Sequence, residues 1–194
     1  TLNTDYFETF NRKNVDLIDL KENPIVKITK NGIKTKNKIF KFDKIIFATG
    51  YDALSGPILS LNLTGRKNLK LKKYWKNGPK TYLGIMVPNF PNFFIISGPG
   101  SPSVLTNVPA QIQQHVEWIS EFIKYLEKTK SRSVEPEDKE AENWVKKINT
   151  LANKSLFMKA KNSWYKGDNI PGKPKTFIPY PAGLPQYREI CNKV

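Results

Sequence analysis

The sequence predicts an α/β protein with a small β-sheet segment early in the chain and two long helices later. Three observations carry this. Short alternating or apolar runs over residues 15–48 are punctuated by Asn31-Gly32, a hairpin turn signal. Apolar residues recur at helical spacing over about 109–128 and again over about 136–157. Between these regions, FFIISGPGSPSVLTNVPAQIQQHVEW (93–118) carries an apolar run into a Gly/Pro/Ser loop and then into a helix start. Such a junction gathers free backbone N–H groups and a positive dipole end at one spot, which suits an anionic group on a cofactor.

In chain order, residues 1–14 read as a polar lead-in carrying Tyr6, Phe7 and Phe10. The alternation of VDLIDL (15–20) predicts a strand, and 25–29 predicts another. Asn31-Gly32 then joins this second strand to 33–35 and 39–42 in a small antiparallel sheet. KIIFA (44–48), a continuous apolar run between Asp43 and Thr49-Gly50, reads as a buried strand of a parallel sheet. Over 52–78 the Gly, Pro and Lys content predicts loops with short strands, and 81–87 and 93–97 read as further strands. The first long helix puts Ile112, Val116, Ile119, Ile123 and Leu126 on one face. The second carries Ala141, Val145, Ile148, Ala152 and Leu156, with Trp144 and Leu151 alongside. Residues 158–183 are irregular and rich in aromatics, Gly and Pro. A run of that length is usually functional or disordered, and Trp164, Tyr165, Phe177 and Tyr180 argue against disorder. A short helix over 184–193 closes the chain.

Composition narrows the function. A length of 194 residues with 39% hydrophobic content can bury a core. No apolar run approaches the roughly 20 residues of a membrane span, and the N-terminal stretch is no signal peptide. The missing initiator Met and the abrupt start suggest a piece of a longer chain. The single Cys191 excludes an internal disulfide framework and fits a reducing, cytoplasmic setting. The formal charge of +15 raises nucleic acid or an anionic surface as a partner. Yet Lys supplies nearly all of it, scattered and often beside Asn, with Arg only at 12, 66, 132 and 188. Clustered Arg forks interleaved with stacking aromatics are absent, so a solvated Lys/Asn surface is the preferred reading.

The residues that could carry chemistry are few. One Cys and one His cannot build a zinc site, and no metal is expected. His115 inside the first long helix reads as a structural histidine, and Ser97, Ser101 and Ser103 as turn and capping residues. Gly98-Pro99-Gly100 is not a GxGxxG fingerprint, although it suits a turn that a ligand approaches closely.

Several segments together resemble the C-terminal part of Baeyer–Villiger monooxygenases of the cyclohexanone monooxygenase type. They are DYFETFNRKNV (5–15), FDKIIFATGYDALSGP (42–57), GPKTYLGIMVPNFPNFFIISGPGSPSVLTN (78–107), QQHVEW (113–118), NSWYKGDNIPGKPKTFIPY (162–180) and YREIC (187–191). The combination with 162–174 makes the resemblance specific. It implies a partial FAD/NAD(P)-binding dinucleotide-fold flavoprotein, with 1–48 ending the NADP-binding domain and 49–194 returning into the FAD-binding domain. FAD and NADPH are the implied cofactors, and a ketone and O2 the implied substrates. The implied product is an ester or lactone, formed through a flavin peroxide. Gly98, Pro99, Asn107 and Val108 would lie along the flavin, Thr49 and Gly50 at the crossing between domains near NADP, and Trp164 on a mobile loop (about 159–177) closing over NADP. Val104, Leu105, Thr106 and Phe177 would line the substrate pocket.

The resemblance also places the family's catalytic arginine and both GxGxxG turns upstream of Thr1, so no catalytic residue is expected in this chain, and Arg12 is not that arginine. Taken alone, these 194 residues are expected neither to oxidise ketones nor to hold FAD firmly. The competing readings are a nitrogen- or sulfur-oxygenating flavin monooxygenase and a basic nucleic-acid- or membrane-binding module. Neither the ketone nor the oligomeric state is legible.

Overall fold

The computed structural model describes residues 4–194, and the chain divides into two compact units, one ending at Gly50 and the other formed by Tyr51–Val194. In the first unit a single helical turn, α1 (Tyr6–Thr9), precedes a three-stranded antiparallel sheet of β1 (Ile25–Thr29), β2 (Gly32–Thr35) and β3 (Ile39–Lys41), in the order β1-β2-β3. Thr29 pairs with Gly32, so the two turn positions are Lys30 and Asn31, one residue earlier than the Asn-Gly signal implies. Gly32 serves a different need. A Cβ there would lie 1.9 Å from the Phe40 carbonyl oxygen, so a side chain would push β3 away.

Two expected strands do not form. Residues 15–20 and 44–48 have no strand assignment, and several of their apolar side chains are open, with Leu17 72% and Ile46 90% exposed. A strand is stabilised only by a paired neighbour, and none lies alongside these runs among the described residues.

The regular elements of the second unit are helices: α2 (Ser55–Ser60), α3 (Leu71–Tyr74), α4 (Val108–Lys128), α5 (Asp138–Asn153) and α6 (Leu184–Cys191), with short 3-10 turns between them. Where loops and short strands were expected over 52–78, α2 and α3 form and only the bridge Thr64–Lys70 is strand-like. The expected strands at 81–87 and 93–97 are likewise reduced to isolated bridges, Tyr82–Met86 and Met86–Phe94. The cause is local. Leu83 (φ 57) and Gly84 (φ 72) turn the chain back on itself, so Tyr82 both donates to and accepts from Met86.

The long helices begin close to the predicted positions. Asn107 caps α4, its side-chain oxygen accepting the Ala110 N–H at 3.1 Å, and Pro109 occupies the first turn. α5 starts at Asp138 rather than near 136 and ends at Asn153, with a 3-10 turn continuing over Leu156–Lys159. It buries Ala141, Trp144, Ile148 and Ala152 on one face as its spacing predicts, while Leu156 lies outside it and exposed. These residues pack with Leu83, Ile85, Tyr180 and Tyr187 in the main core, and Leu71, Trp75, Val87, Phe90 and Ile95 form a second cluster.

The orientation of α4 differs from the expectation. Its buried residues are the polar Gln111, Gln114 and His115, whereas Ile112, Val116 and Ile123 are exposed. Gln111 and His115 turn inward because they bond to the loop before the helix, at Ser101 and Ser97. Of the predicted stripe, Ile119 is half-buried and packs against the main core beside Trp118 and Phe122, and Leu126 is half-buried. Ile112, Val116 and Ile123 are left open by the described residues of this unit.

Candidate functional site

The loop 97–107 that leads into α4 is held from several sides. The Gly98 carbonyl accepts both the N–H (3.1 Å) and the hydroxyl (2.7 Å) of Ser101. The Pro99 carbonyl accepts the Thr81 hydroxyl at 2.6 Å, and the Gly100 carbonyl the Trp144 indole N–H at 3.0 Å. Gly100 N–H donates to Ile178 O at 2.8 Å, and Tyr180 N–H donates to Ser101 O at 2.7 Å. Gln111, in the first turns of α4, donates its amide to Ser101 Oγ at 2.9 Å. Four consecutive carbonyls are thus satisfied by several separate segments, which fixes the loop far more firmly than its Gly content suggests.

Glycine is required where this loop is most crowded. Gly100 has φ 92, and a Cβ on it would stand 2.8 Å from Thr81 Oγ1 and 3.0 Å from the Trp144 indole nitrogen. The same loop is joined to the C-terminal helix through His115. Ser97 N–H donates to His115 Nδ1 at 3.1 Å, which leaves the ring proton on Nε2, facing the Tyr187 hydroxyl at 2.8 Å. Tyr187 in turn donates to the Leu83 carbonyl. Burial lowers the His115 pKa to about 4, so the ring is neutral and structural.

The loop delivers the open N-terminus of α4. Asn107 is exposed, Thr106, Leu105 and Val108 are half-buried, and Val104 is 46% exposed. The Asn107 side chain takes the Ala110 N–H and its carbonyl takes the Gln111 N–H, while Pro109 has none. That leaves the Val108 N–H as the first-turn donor without an intrahelical acceptor, aligned with the positive end of a 21-residue helix. Close by, Gln111 Oε1 is buried without a partner.

The other predicted residues lie elsewhere. Gly98 and Pro99 are buried, with their carbonyls already taken. Phe177 is 4% exposed and packs in the core against Phe157 and Tyr165. Trp164 is half-exposed at the start of a 3-10 turn and stacks on Tyr165, with ring centroids 4.3 Å apart. Thr49 and Gly50 are exposed and end the first unit. Among the described residues no group of His, Cys, Asp and Glu is arranged to hold a metal ion, and no helix is long and apolar enough to cross a membrane.

Sequence reasoning did not find the polar supports of the loop. Gln111 and Tyr187 stand at positions a helical wheel assigns to no special role, and their function depends on contacts 10 and 104 residues away in sequence.

No protein-family profile matches the chain. Individual relatives do. The cyclohexanone 1,2-monooxygenase of an Acinetobacter species is 43% identical over 96% of this chain and 34% of its own length. The phenazine N-monooxygenase PhzNO1 of Lysobacter antibioticus is 37% identical over 98% and 35%. Among solved structures, a closed cyclohexanone monooxygenase superposes with a TM-score of 0.91 at 38% identity, covering 99% of this chain and 36% of that one. The OTEMO complex with FAD and NADP gives a TM-score of 0.88 at 33% identity, covering 100% and 35%.

The fold is therefore that of part of a flavin monooxygenase, matched along nearly all of the chain. Within that class the chain is homologous to Baeyer–Villiger monooxygenases of the cyclohexanone monooxygenase type, and it spans about a third of the length of the curated relatives it matches.

Proposed function

We propose that this chain supplies the flavin-ring side, and part of the nicotinamide side, of an FAD-containing, NADPH-dependent monooxygenase that inserts one oxygen atom from O2 beside a ketone carbonyl. The product would be an ester or lactone. The observation that carries the reading is the rigid 97–107 loop presenting the Val108 N–H at the N-terminus of α4. When bound and reduced, FAD would supply the electrons that activate O2, and one relative is named as an FAD-binding monooxygenase.

The residues present fit that ring. Reduced flavin carries negative charge along one edge, and a helix N-terminus with an unspent donor stabilises such charge. The half-buried Val108 and Leu105 offer an apolar rim, and the orphaned Gln111 oxygen lies one turn behind. In this reading Asn107 and Val108 hold the flavin edge, Gly98 and Pro99 shape the backing loop, and Val104, Leu105 and Thr106 face the ketone. Phe177 shapes the pocket from the core, through Tyr165. Trp164 covers the NADP side with its indole face, and Thr49 and Gly50 mark the passage from the NADP-binding to the FAD-binding domain. The working compartment of such an enzyme is the cytoplasm.

A nitrogen-oxygenating activity is the second reading, because one relative of comparable similarity is a phenazine N-monooxygenase. One experiment separates the two. The corresponding third of the Acinetobacter cyclohexanone monooxygenase is replaced by this chain, and the chimera is assayed with NADPH, cyclohexanone and a phenazine. Lactone formation with retained FAD is the expected result. Phenazine N-oxide without lactone would transfer the assignment to the second reading.

A further inference from the structure

The segment after α5 is fastened at its tip by an ion pair that the proposed function does not use. Lys173 has a side chain only 11% exposed, and its ammonium meets the Asp52 carboxylate and the Ala53 carbonyl (3.3 Å). Asn169 adds a second attachment, donating to the Tyr51 carbonyl at 3.3 Å. Residues 51–53 therefore grip the tip of the segment at two points.

The tip is mechanically continuous with Trp164. Ser163 N–H donates to the Asp168 carboxylate, whose other oxygen pairs with Lys166 at 3.1 Å. Burial alone would raise the Asp168 pKa, but the bonds from Lys166 and the Ser163 N–H hold it below the usual carboxylate range, so it stays charged in this clasp. Thr176 N–H donates to Lys166 O at 3.0 Å and Ile178 N–H to Tyr165 O at 2.7 Å, while Ile178 O accepts from Gly100 of the loop before α4. The turn bearing Trp164 is thus bonded on one side to 176–178, and through Ile178 to the loop that delivers α4.

Gly56 leaves the room in which the Asp52 side chain lies. Its φ is ordinary, yet a Cβ there would lie 2.5 Å from Asp52 Cγ and 2.6 Å from Oδ2. The carboxylate of Asp52 lies in the space that a side chain at 56 would fill.

We infer that Asp52 and Lys173 are positioning residues: their ion pair is a strap that fastens residues 163–178 to 51–53 and so sets where Trp164 stands. A buried ammonium that loses its carboxylate keeps its desolvation cost without compensation, so the tip leaves rather than remaining with an unpaired charge. Only the statement of what Trp164 covers rests on the proposed function; the strap itself does not.

The test is hydrogen–deuterium exchange on the chimera in which this chain replaces the corresponding third of the Acinetobacter enzyme. In Asp52→Asn and in Lys173→Met, which keeps the length of the stem, the amides of Ser163, Thr176 and Ile178 are expected to exchange at least ten-fold faster. Amides in α5 and α6 should keep their parental rates. Asp52→Glu should restore protection, since the half-exposed carboxylate has room for one more methylene. Parental exchange in both neutralising variants would overturn the inference and leave the aromatic packing of Phe157, Tyr165 and Phe177 as the fastening. Uniformly faster exchange across α5 and α6 would overturn it as well, since the pair would then support the whole unit. Neither result depends on oxygenase activity.

Discussion

His115 shows how a single side chain ties three segments together. Its ring accepts from Ser97, faces Tyr187 and is fully buried, and burial lowers its pKa from 6.5 to about 4. The unfolded chain then binds the proton more tightly than the folded one between those two values. Stability from this group is complete above pH 6.5 and is lost as the pH falls toward 4, by about 3 kcal/mol in all. Urea unfolding of the parent at pH 7, 5.5 and 4 should show this decline. A His115→Gln variant should be less stable at pH 7 and should lack this part of the pH dependence. A parent whose stability does not change over that range would contradict the assignment of a buried neutral ring.

At the scale of elements, α4 matters because it joins a rigid loop to an open N-terminus. Replacing its cap, Asn107→Ala, removes the bond to the Ala110 N–H and should cost about 1 kcal/mol in unfolding free energy. Thermal melts of the two proteins measure this directly. The start of α4 is legible in the sequence to within a residue, as a helix beginning near Pro109, and the 3.6-residue spacing marks both long helices, while the Asn107 cap comes from the structure. Which face of α4 turns inward is not legible. Periodicity identifies an apolar stripe but not what covers it, and here the fully buried residues are Gln111, Gln114 and His115, while Ile119 of the stripe is half-buried against the core and Ile112, Val116 and Ile123 are open. The runs at 15–20 and 44–48 differ from the expectation for a related reason. Their composition suits a strand, but strand formation depends on a neighbour elsewhere in the chain, and none lies alongside among the described residues. The polar loop supports, with Trp144 bonding Gly100 across 44 residues, leave no local signal at all.

For the whole molecule, the resemblance recognised in Phe42–Pro57, 78–107 and 162–180 supplied what periodicity could not, and the comparisons agree with it along nearly the full chain. The chain matches only about a third of its relatives' length, so the proposed placing of α4 at the flavin ring is best tested in a chimera with the Acinetobacter enzyme. Val108→Pro in that chimera deletes one N–H at a position where proline suits a helix start, and Asn107 already has the extended backbone (φ −67, ψ 108) that a following proline requires. The measurement is the two-electron reduction potential of the bound flavin. A fall of about 30 mV, with FAD still bound, is predicted from the loss of one charge-assisted hydrogen bond to the reduced ring. A potential equal to that of the unsubstituted chimera would contradict the placing of this helix at the flavin.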